Sequence, residues 1–444
     1  MTSVCLTRSG CLAAAVLLFL LVVPLVSSGQ PPADLPIIYD FGVGARAMGM
    51  GQAHVAACED VSAMFYNPAA LAQIRRIELS TGFSQLSDNL ETSLFGHKST
   101  STLGSTKLSS VGIAYPFPTY RGSFVLGFAY NRTRNTDSDY FASGAASRAY
   151  LGPDIGVVDD YQTTKDVFER GGLSNWTVAA GAEVAENVSV GVGFSFLGGR
   201  SELQYMWERK WDIAPPDYRF LSIKASDETK ISGWTGSFGT LLKVGRVGRV
   251  GLTVRLPEYL SLSGQQYTEL YDSGPLASSI PLDTAYQEAF EGDKITLPLC
   301  FIAGASVAPV PGLILAFDAK YADWKQIEYD GPIRIDNNYA YKATTSLRFG
   351  AEFMFPFAPL RVRGGFFTEP LAYRFMPSLT SSNEIWIASI DSDGKFYTLG
   401  AGYLFEESFT LDAAWVHGGY ERSIPDHSEK KTTDKIFVSA GYHF

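Results

Sequence analysis

The residues best suited to chemistry in this chain are charged side chains that share one parity within alternating segments. Arg348 and Glu352 share one parity in one such segment, and Arg361 and Arg363 share one parity in the next. Glu183, Lys243, Arg255, Asp318, Lys320 and Asp412 sit in the same way in other segments, each opposite a face of apolar residues. A guanidinium pairs with a carboxylate through parallel charge-assisted hydrogen bonds. The arginines therefore suit either an anionic ligand group or an internal partner such as Glu352 or a backbone carbonyl.

Other chemistry is poorly supported. Gly42-x-Gly44-x-x-Ala47 follows an apolar IIYDF stretch and superficially resembles a dinucleotide-binding turn. That turn needs a strand–helix–strand unit around it, whereas the chain downstream alternates as strand. The glycines are better read as sites of tight turning and close backbone packing. His54, His97, His417, His427 and His443 are scattered without a metal-ligand spacing. Past the leader only Cys58 and Cys300 remain, far apart. No Gly-x-Ser-x-Gly elbow occurs. We expect no cofactor, no metal and no catalytic residue. Asn131, Asn175 and Asn187 begin N-x-S/T triplets, read as chance matches in a bacterial export context.

The elements that must position the charges are strands. Ile436, Val438, Ala440, Tyr442 and Phe444 form one face of the last ten residues. A strand that ends the chain on an aromatic residue suits the closing strand of an outer-membrane barrel. Alternation recurs at about 76–86, 106–116, 121–131, 173–185, 188–199, 229–244, 248–257, 293–308, 312–323, 341–356, 359–369, 394–405, 408–417 and 435–444. Six short connections and seven long polar ones separate these segments, which predicts fourteen strands. Long loops are expected near 87–105, 132–172, 200–228, 258–292, 324–340, 370–393 and 418–434. In lipid an alternating chain must close on itself, because every backbone polar group needs a partner. The fold class expected is all-β: a 14-stranded antiparallel transmembrane β-barrel, with charges inside and a band of apolar side chains outside.

The domain boundaries follow. Arg8, the apolar run from Leu12 to Val26 and Ser27-Ser28-Gly29 read as a cleaved signal peptide over 1–29. Residues 30–75 do not alternate and read as a compact segment with a short helix near Val55 to Met64. The barrel takes 76–444. A net charge of −10 argues against a nucleic-acid partner.

The run Gly44-Ala45-Arg46-Ala47-Met48-Gly49-Met50-Gly51, then Ala53, Val55, Ala56, Asp60, Ser62, Ala63 and Tyr66-Asn67-Pro68-Ala69, resembles the start of the OmpP1/FadL/TodX family of outer-membrane long-chain fatty-acid transporters. Arg363-Gly364-Gly365-Phe366, Pro370, Tyr397-x-Leu399-Gly400-x-Gly402-Tyr403 and Leu411-Asp412 resemble its penultimate strands. The resemblance implies that 30–75 is a hatch plugging the bore, with Gly42, Gly44, Arg46, Asn67, Pro68 and Ala69 as its gating residues. It implies passive passage of long-chain fatty acids or related hydrophobic compounds, with Arg348, Arg361 and Arg363 as headgroup candidates. Expected partners are that cargo and outer-membrane lipid, with the protein a monomer in the bacterial outer membrane. Two departures stand out. Ala70 replaces a common glycine, and the third strand has Gly127 but no proline, so a kinked lateral gap is not asserted; Pro298 marks a break elsewhere. The competing function is a non-transporting barrel that scaffolds secretion or anchors surface proteins. A general porin ranks third, since a plugged bore disfavours it.

Overall fold

The computed structural model describes residues 41–146, 149–150, 157–158, 161–211, 219–272, 283–330, 339–375, 390–424 and 426–444. The expected signal peptide and the first residues of the leading segment lie outside them.

Fourteen antiparallel strands form a closed barrel. They are β1 Glu78–Leu94, β2 His97–Phe117, β3 Phe124–Asn135, β4 Tyr161–Ala185, β5 Val188–Trp211 and β6 Arg219–Val244. Then come β7 in two pieces, Gly248–Arg255 and Glu258–Asp272, and β8 in two pieces, Asp283–Leu297 and Cys300–Val310. The rest are β9 Leu313–Asp323, β10 Ala343–Met354, β11 Leu360–Glu369, β12 Gly394–Phe405, β13 Phe409–Ile424 and β14 His427–His443. Each pairs with the next, and β14 returns to β1 in unbroken register from Glu78↔His443 to Leu94↔His427. That closing ladder removes both sheet edges, as the hydrocarbon layer requires.

The outward face is the predicted one. Val190, Val192, Phe194 and Phe196 are exposed, while Ser189 and Ser195, of the other parity, are buried. Ile436, Val438, Tyr442 and Phe444 are exposed on β14. Trp234 stacks on Tyr259 across β6 and β7, with ring centroids 4.6 Å apart. An uninterrupted apolar belt of this size on a water-exposed surface would drive aggregation; against lipid it is the wetted face.

The long connections depart from expectation. The loop expected over 87–105 is mostly strand: β1 and β2 pair until Leu94↔His97, with the turn at Phe95–Gly96. The same holds for 200–228 and 418–434, where β5 runs to Trp211 and β14 starts at His427. The outward face of these extensions is polar, as in Asn89↔Thr102 and Glu91↔Thr100, while the inward face of the first hairpin buries Leu86, Leu90 and Leu103. Backbone pairing continues there without an apolar outward face, because lipid no longer covers that side. Pro298 does break its strand, between the two pieces of β8.

β3 is irregular without a proline. Its ladder with β2 spans only Ser110↔Asn131 to Phe117↔Phe124. Beyond it, β3 shifts register against β4 between Arg132 and Arg134. The chain then resumes as strand over Ser138–Ala146. This piece folds across the β1–β2 hairpin: Ser101 Oγ donates to the Asp139 carbonyl at 2.7 Å and Thr92 Oγ1 to the Phe141 carbonyl at 2.6 Å. Where the ladder stops, the Lys107 ammonium meets the Asp137 carboxylate at 3.1 Å.

Residues 41–74 lie within the barrel and are almost wholly buried. Their helices are α1 Ala45–Gly49 and α2 Ala63–Tyr66, followed by a 3-10 turn over Pro68–Gln73. The helix expected near Val55 to Met64 is therefore confined to its last residues. Residues 55–62 instead follow turns held by wall side chains.

Candidate functional site

The leading segment is seated by backbone contact rather than by long side chains. Asn67 is buried and anchors one end. Its Nδ2 donates to the carbonyls of Val55 and Thr240, each at 3.0 Å, and its Oδ1 accepts from Ala69 N at 3.1 Å. Pro68 opens the 3-10 turn, where its missing N–H costs nothing. Pro68 and Ala69 press on Gly191 of β5, where a Cβ would collide with the Pro68 carbonyl carbon and Ala69 N. On the far wall Met50 and Gly51 lie against Gly350 of β10 and Gly365 of β11. Small residues on both sides allow main chain to touch main chain. Gly365→Val is expected to force the segment off β10–β11, and increased protease cleavage within 41–74 of the folded protein would report it. Gly42 packs against the Tyr66 hydroxyl, and Gly44 holds φ +79 just before α1.

Charge locks the same segment. Arg46 donates from Nε and Nη2 to Glu352 of β10 at 3.0 and 2.9 Å. Arg363 of β11 donates to Glu352 at 2.6 Å and to Asp412 of β13 at 2.5 Å. Glu59 meets Arg249 of β7 at 2.5 Å. Of the three headgroup arginines, Arg363 is thus engaged in internal ion pairs. Arg361 lines a cavity of about 310 Å³ between the segment and the short-turn end. Arg348 is buried, its Nε lacks a hydrogen-bond partner, and it faces Asp318 across the β9–β10 ladder. Asp318 Oδ2 in turn accepts from the backbone N–H of His54 and Val55 at 2.7 and 2.9 Å.

On the long-hairpin side of the segment, the lumen wall becomes apolar. Leu197 of β5 is six residues along from Gly191, about 20 Å at strand rise. It joins a buried cluster with Leu173, Ile231, Leu260, Ile295, Leu297 and Trp324. At its foot Lys320, Trp324, Thr344, Ser346 and Glu369 surround a small hollow. Trp324 Nε1 donates to Thr344 Oγ1 there at 2.9 Å. The cluster escapes a sequence reading because its members are scattered over many strands, at positions where an inward polar residue is the rule.

One grouping was absent from the sequence reading. The turns after α1 bring a ring nitrogen of His54, the Cys58 thiol and the Asp60 carboxylate within 4.8 Å of one another. The signal in sequence was H-x-x-x-C-x-D. Burial pushes the Asp60 carboxyl up, but His54, Arg46 and Ser62 outweigh it and hold the group well below the usual carboxylate range. Burial, with Asp60 beside it, pushes the Cys58 thiol up.

The closed barrel is also the fold of the solved structures the chain resembles. The family model described as outer membrane protein transport protein (OMPP1/FadL/TodX) matches residues 26–436. The chain belongs to this family. It is accordingly an outer-membrane β-barrel, and its relatives are transport channels rather than enzymes. A FadL homologue from Pseudomonas aeruginosa is 16% identical, with a TM-score of 0.63 over 92% of this chain and 99% of that one. The toluene transporter TodX of P. putida is 11% identical, with a TM-score of 0.61 over 91% and 99%. The toluene transporter TbuX of Ralstonia pickettii is 14% identical, with a TM-score of 0.56 over 91% and 98%. At such identities the likeness is one of fold. No curated protein matches the chain.

Proposed function

We propose that this FadL/TodX-family barrel is a passive channel for uptake of hydrophobic small molecules, long-chain fatty acids among them, and that residues 41–74 are its hatch. The observation that carries the reading is the apolar cluster around Leu260, Ile295 and Trp324 inside the bore, directly beyond the seated segment. A porin for polar solutes gains nothing from such a wall. An apolar solute does, because each contact replaces water against its surface. The path proposed enters at the long-hairpin end, follows the cluster and reaches the segment. It leaves beside β2 and β3, where the ladder stops at Ser110↔Asn131 and both residues line the cavity of about 310 Å³.

Lys320 lines the hollow at the foot of the cluster, Arg348 lies two residues on from Ser346 of that hollow, and we assign the carboxylate of a fatty acid to their field. Arg361, in the cavity beyond the segment, is the second station. A charge-assisted hydrogen bond contributes roughly 1.5–3 kcal/mol. Lys320→Gln is therefore expected to slow fatty-acid uptake by about tenfold while leaving toluene uptake within about twofold.

The test of the proposal is uptake of labelled oleate and labelled toluene into vesicles holding the purified protein. Uptake of either above that of protein-free vesicles supports it. Uptake of neither, with exported proteins copurifying from the outer membrane, replaces it with the scaffold reading. Uptake of toluene alone narrows the cargo to uncharged molecules and removes the headgroup role of Lys320, Arg348 and Arg361.

A further inference from the structure

We infer that His54, Cys58 and Asp60 form a binding site in the leading segment for a borderline d-block dication, zinc in the first instance. The three side chains come from one turn-rich stretch, and their ligand atoms lie within 4.8 Å of one another. Imidazole, thiolate and carboxylate are the donors zinc takes. Zinc bonds of about 2.0–2.3 Å in a tetrahedron place donor atoms roughly 3.5 Å apart. Cys58 Sγ is 3.8 Å from one Asp60 oxygen, Oδ1, and His54 Nε2 is 3.6 Å from the other, Oδ2, and one atom from each residue lies within 4.8 Å of the other two, so a small tightening of the turn would bring the donors to that spacing. Ser62 Oγ, 3.5 Å from the sulfur, or a water can complete the tetrahedron.

The second observation is the state of His54. The residue is 0% exposed, and neither ring nitrogen has a hydrogen-bond partner. Burying a polar nitrogen without a partner costs free energy, of the same order as a lost hydrogen bond. Its backbone is pinned by Asp318, and its ring stands edge-on to Tyr66 with centroids 5.3 Å apart. The ring is thus held in place with Nδ1 unpartnered and Nε2 facing the Asp60 carboxylate at 3.6 Å, beyond hydrogen-bond length. A metal would take one of them as a neutral imidazole ligand.

The surroundings allow binding and access. Asp60 and Ser62 line the cavity of about 310 Å³, which gives an ion a path from the short-turn end. Asp60 Oδ1 also accepts from Ser62 N at 2.9 Å and Ser62 Oγ at 2.5 Å, and Asp60 Oδ2 lies 3.7 Å from Arg46 Nη1. Arg46 opposes a cation, but Glu352 already neutralises it through two hydrogen bonds. On binding, the Cys58 thiol loses its proton to solvent and the thiolate takes the metal, so one proton leaves for each ion bound. The ion then closes a ring over residues 54–60 and stiffens the part of the segment between Asn67 and Arg46.

The experiment uses the full-length folded protein in detergent, stripped with a chelator and titrated with Zn²⁺ and then Co²⁺. We expect one equivalent of metal per chain and a thiolate-to-cobalt charge-transfer absorption. Cys58→Ser and His54→Gln should each weaken binding at least 100-fold, and Cys300→Ser should leave it unchanged. If a variant fails to fold, zinc-edge X-ray absorption on the loaded wild-type protein decides: one sulfur neighbour at about 2.3 Å is expected. Less than a tenth of an equivalent bound to folded wild type, binding equal in Cys58→Ser, or a zinc shell without sulfur would each overturn the site.

Discussion

Glu352→Gln is expected to release the leading segment from the wall and turn a closed bore into a conducting one. The carboxylate accepts from both Arg46 and Arg363. Removing its charge leaves two buried guanidinium groups facing one another without an anion between them. Breaking a buried pair in this way typically costs about 3–5 kcal/mol. Arg46→Met should cost less, because Glu352 keeps Arg363 and no charge is stranded. The double variant should fall short of the sum of the two, as expected for residues in one network. Single-channel recordings in planar bilayers check this: long open events are expected in Glu352→Gln, brief ones in Arg46→Met and few in wild type. Equal, quiet traces for all three would show that the network does not hold the segment shut.

The second large effect is expected from the apolar wall. Ile295 is fully buried and sits opposite Leu260 on the neighbouring strand. Ile295→Asp puts a carboxylate, which must be solvated, in the middle of the proposed path. An apolar solute would then meet a hydrated constriction, and uptake of toluene or oleate should fall at least tenfold. Small-ion conductance should stay flat or rise, since water follows the charge. Parallel loss of both would point to a damaged barrel instead, so heat-dependent gel mobility is the accompanying control.

Asn67→Ala belongs to the same series with a smaller effect. It removes three hydrogen bonds to buried backbone groups and leaves those groups partly unsatisfied. A loss of roughly 2–4 kcal/mol in seating is expected. The measurement is faster hydrogen exchange at Val55 and Ala69 with little change in strands β12 to β14.

The parts legible in the sequence were those where one physical constraint acts on every residue. A strand half in lipid and half facing a polar bore must alternate, so Val188 to Leu197 and Lys435 to Phe444 announced themselves. The closing ladder of β14 with β1 followed, because lipid tolerates no open edge. Where that constraint lapses, so does the signal. The hairpin of β13 and β14 beyond Gly418 pairs fully, as at Glu421↔Lys430, yet carries no apolar period. The Arg46–Glu352–Arg363–Asp412 network was half visible: the charges were placed inside, but their mutual pairing depends on which strands become neighbours. Parity alone could not tell Arg363, which is paired, from Arg348, whose Nε is not. The His54–Cys58–Asp60 grouping was hidden because no standard metal spacing covers it, and turns rather than a helix bring it together.

The most direct test of the central claim, that apolar molecules pass through a bore occupied by its own leading segment, is vesicle uptake with that segment locked and unlocked. One cysteine at Glu59 and one at Arg249, whose partly exposed side chains meet between the segment and β7, placed in a protein otherwise free of cysteine, are to be cross-linked by a short cleavable bis-maleimide and later released by cleaving it. The account predicts toluene or oleate uptake near the protein-free level when locked, and recovery to the uncross-linked rate on release. Uptake that is unchanged by locking, in a folded barrel with the cross-link verified by mass spectrometry, would contradict it.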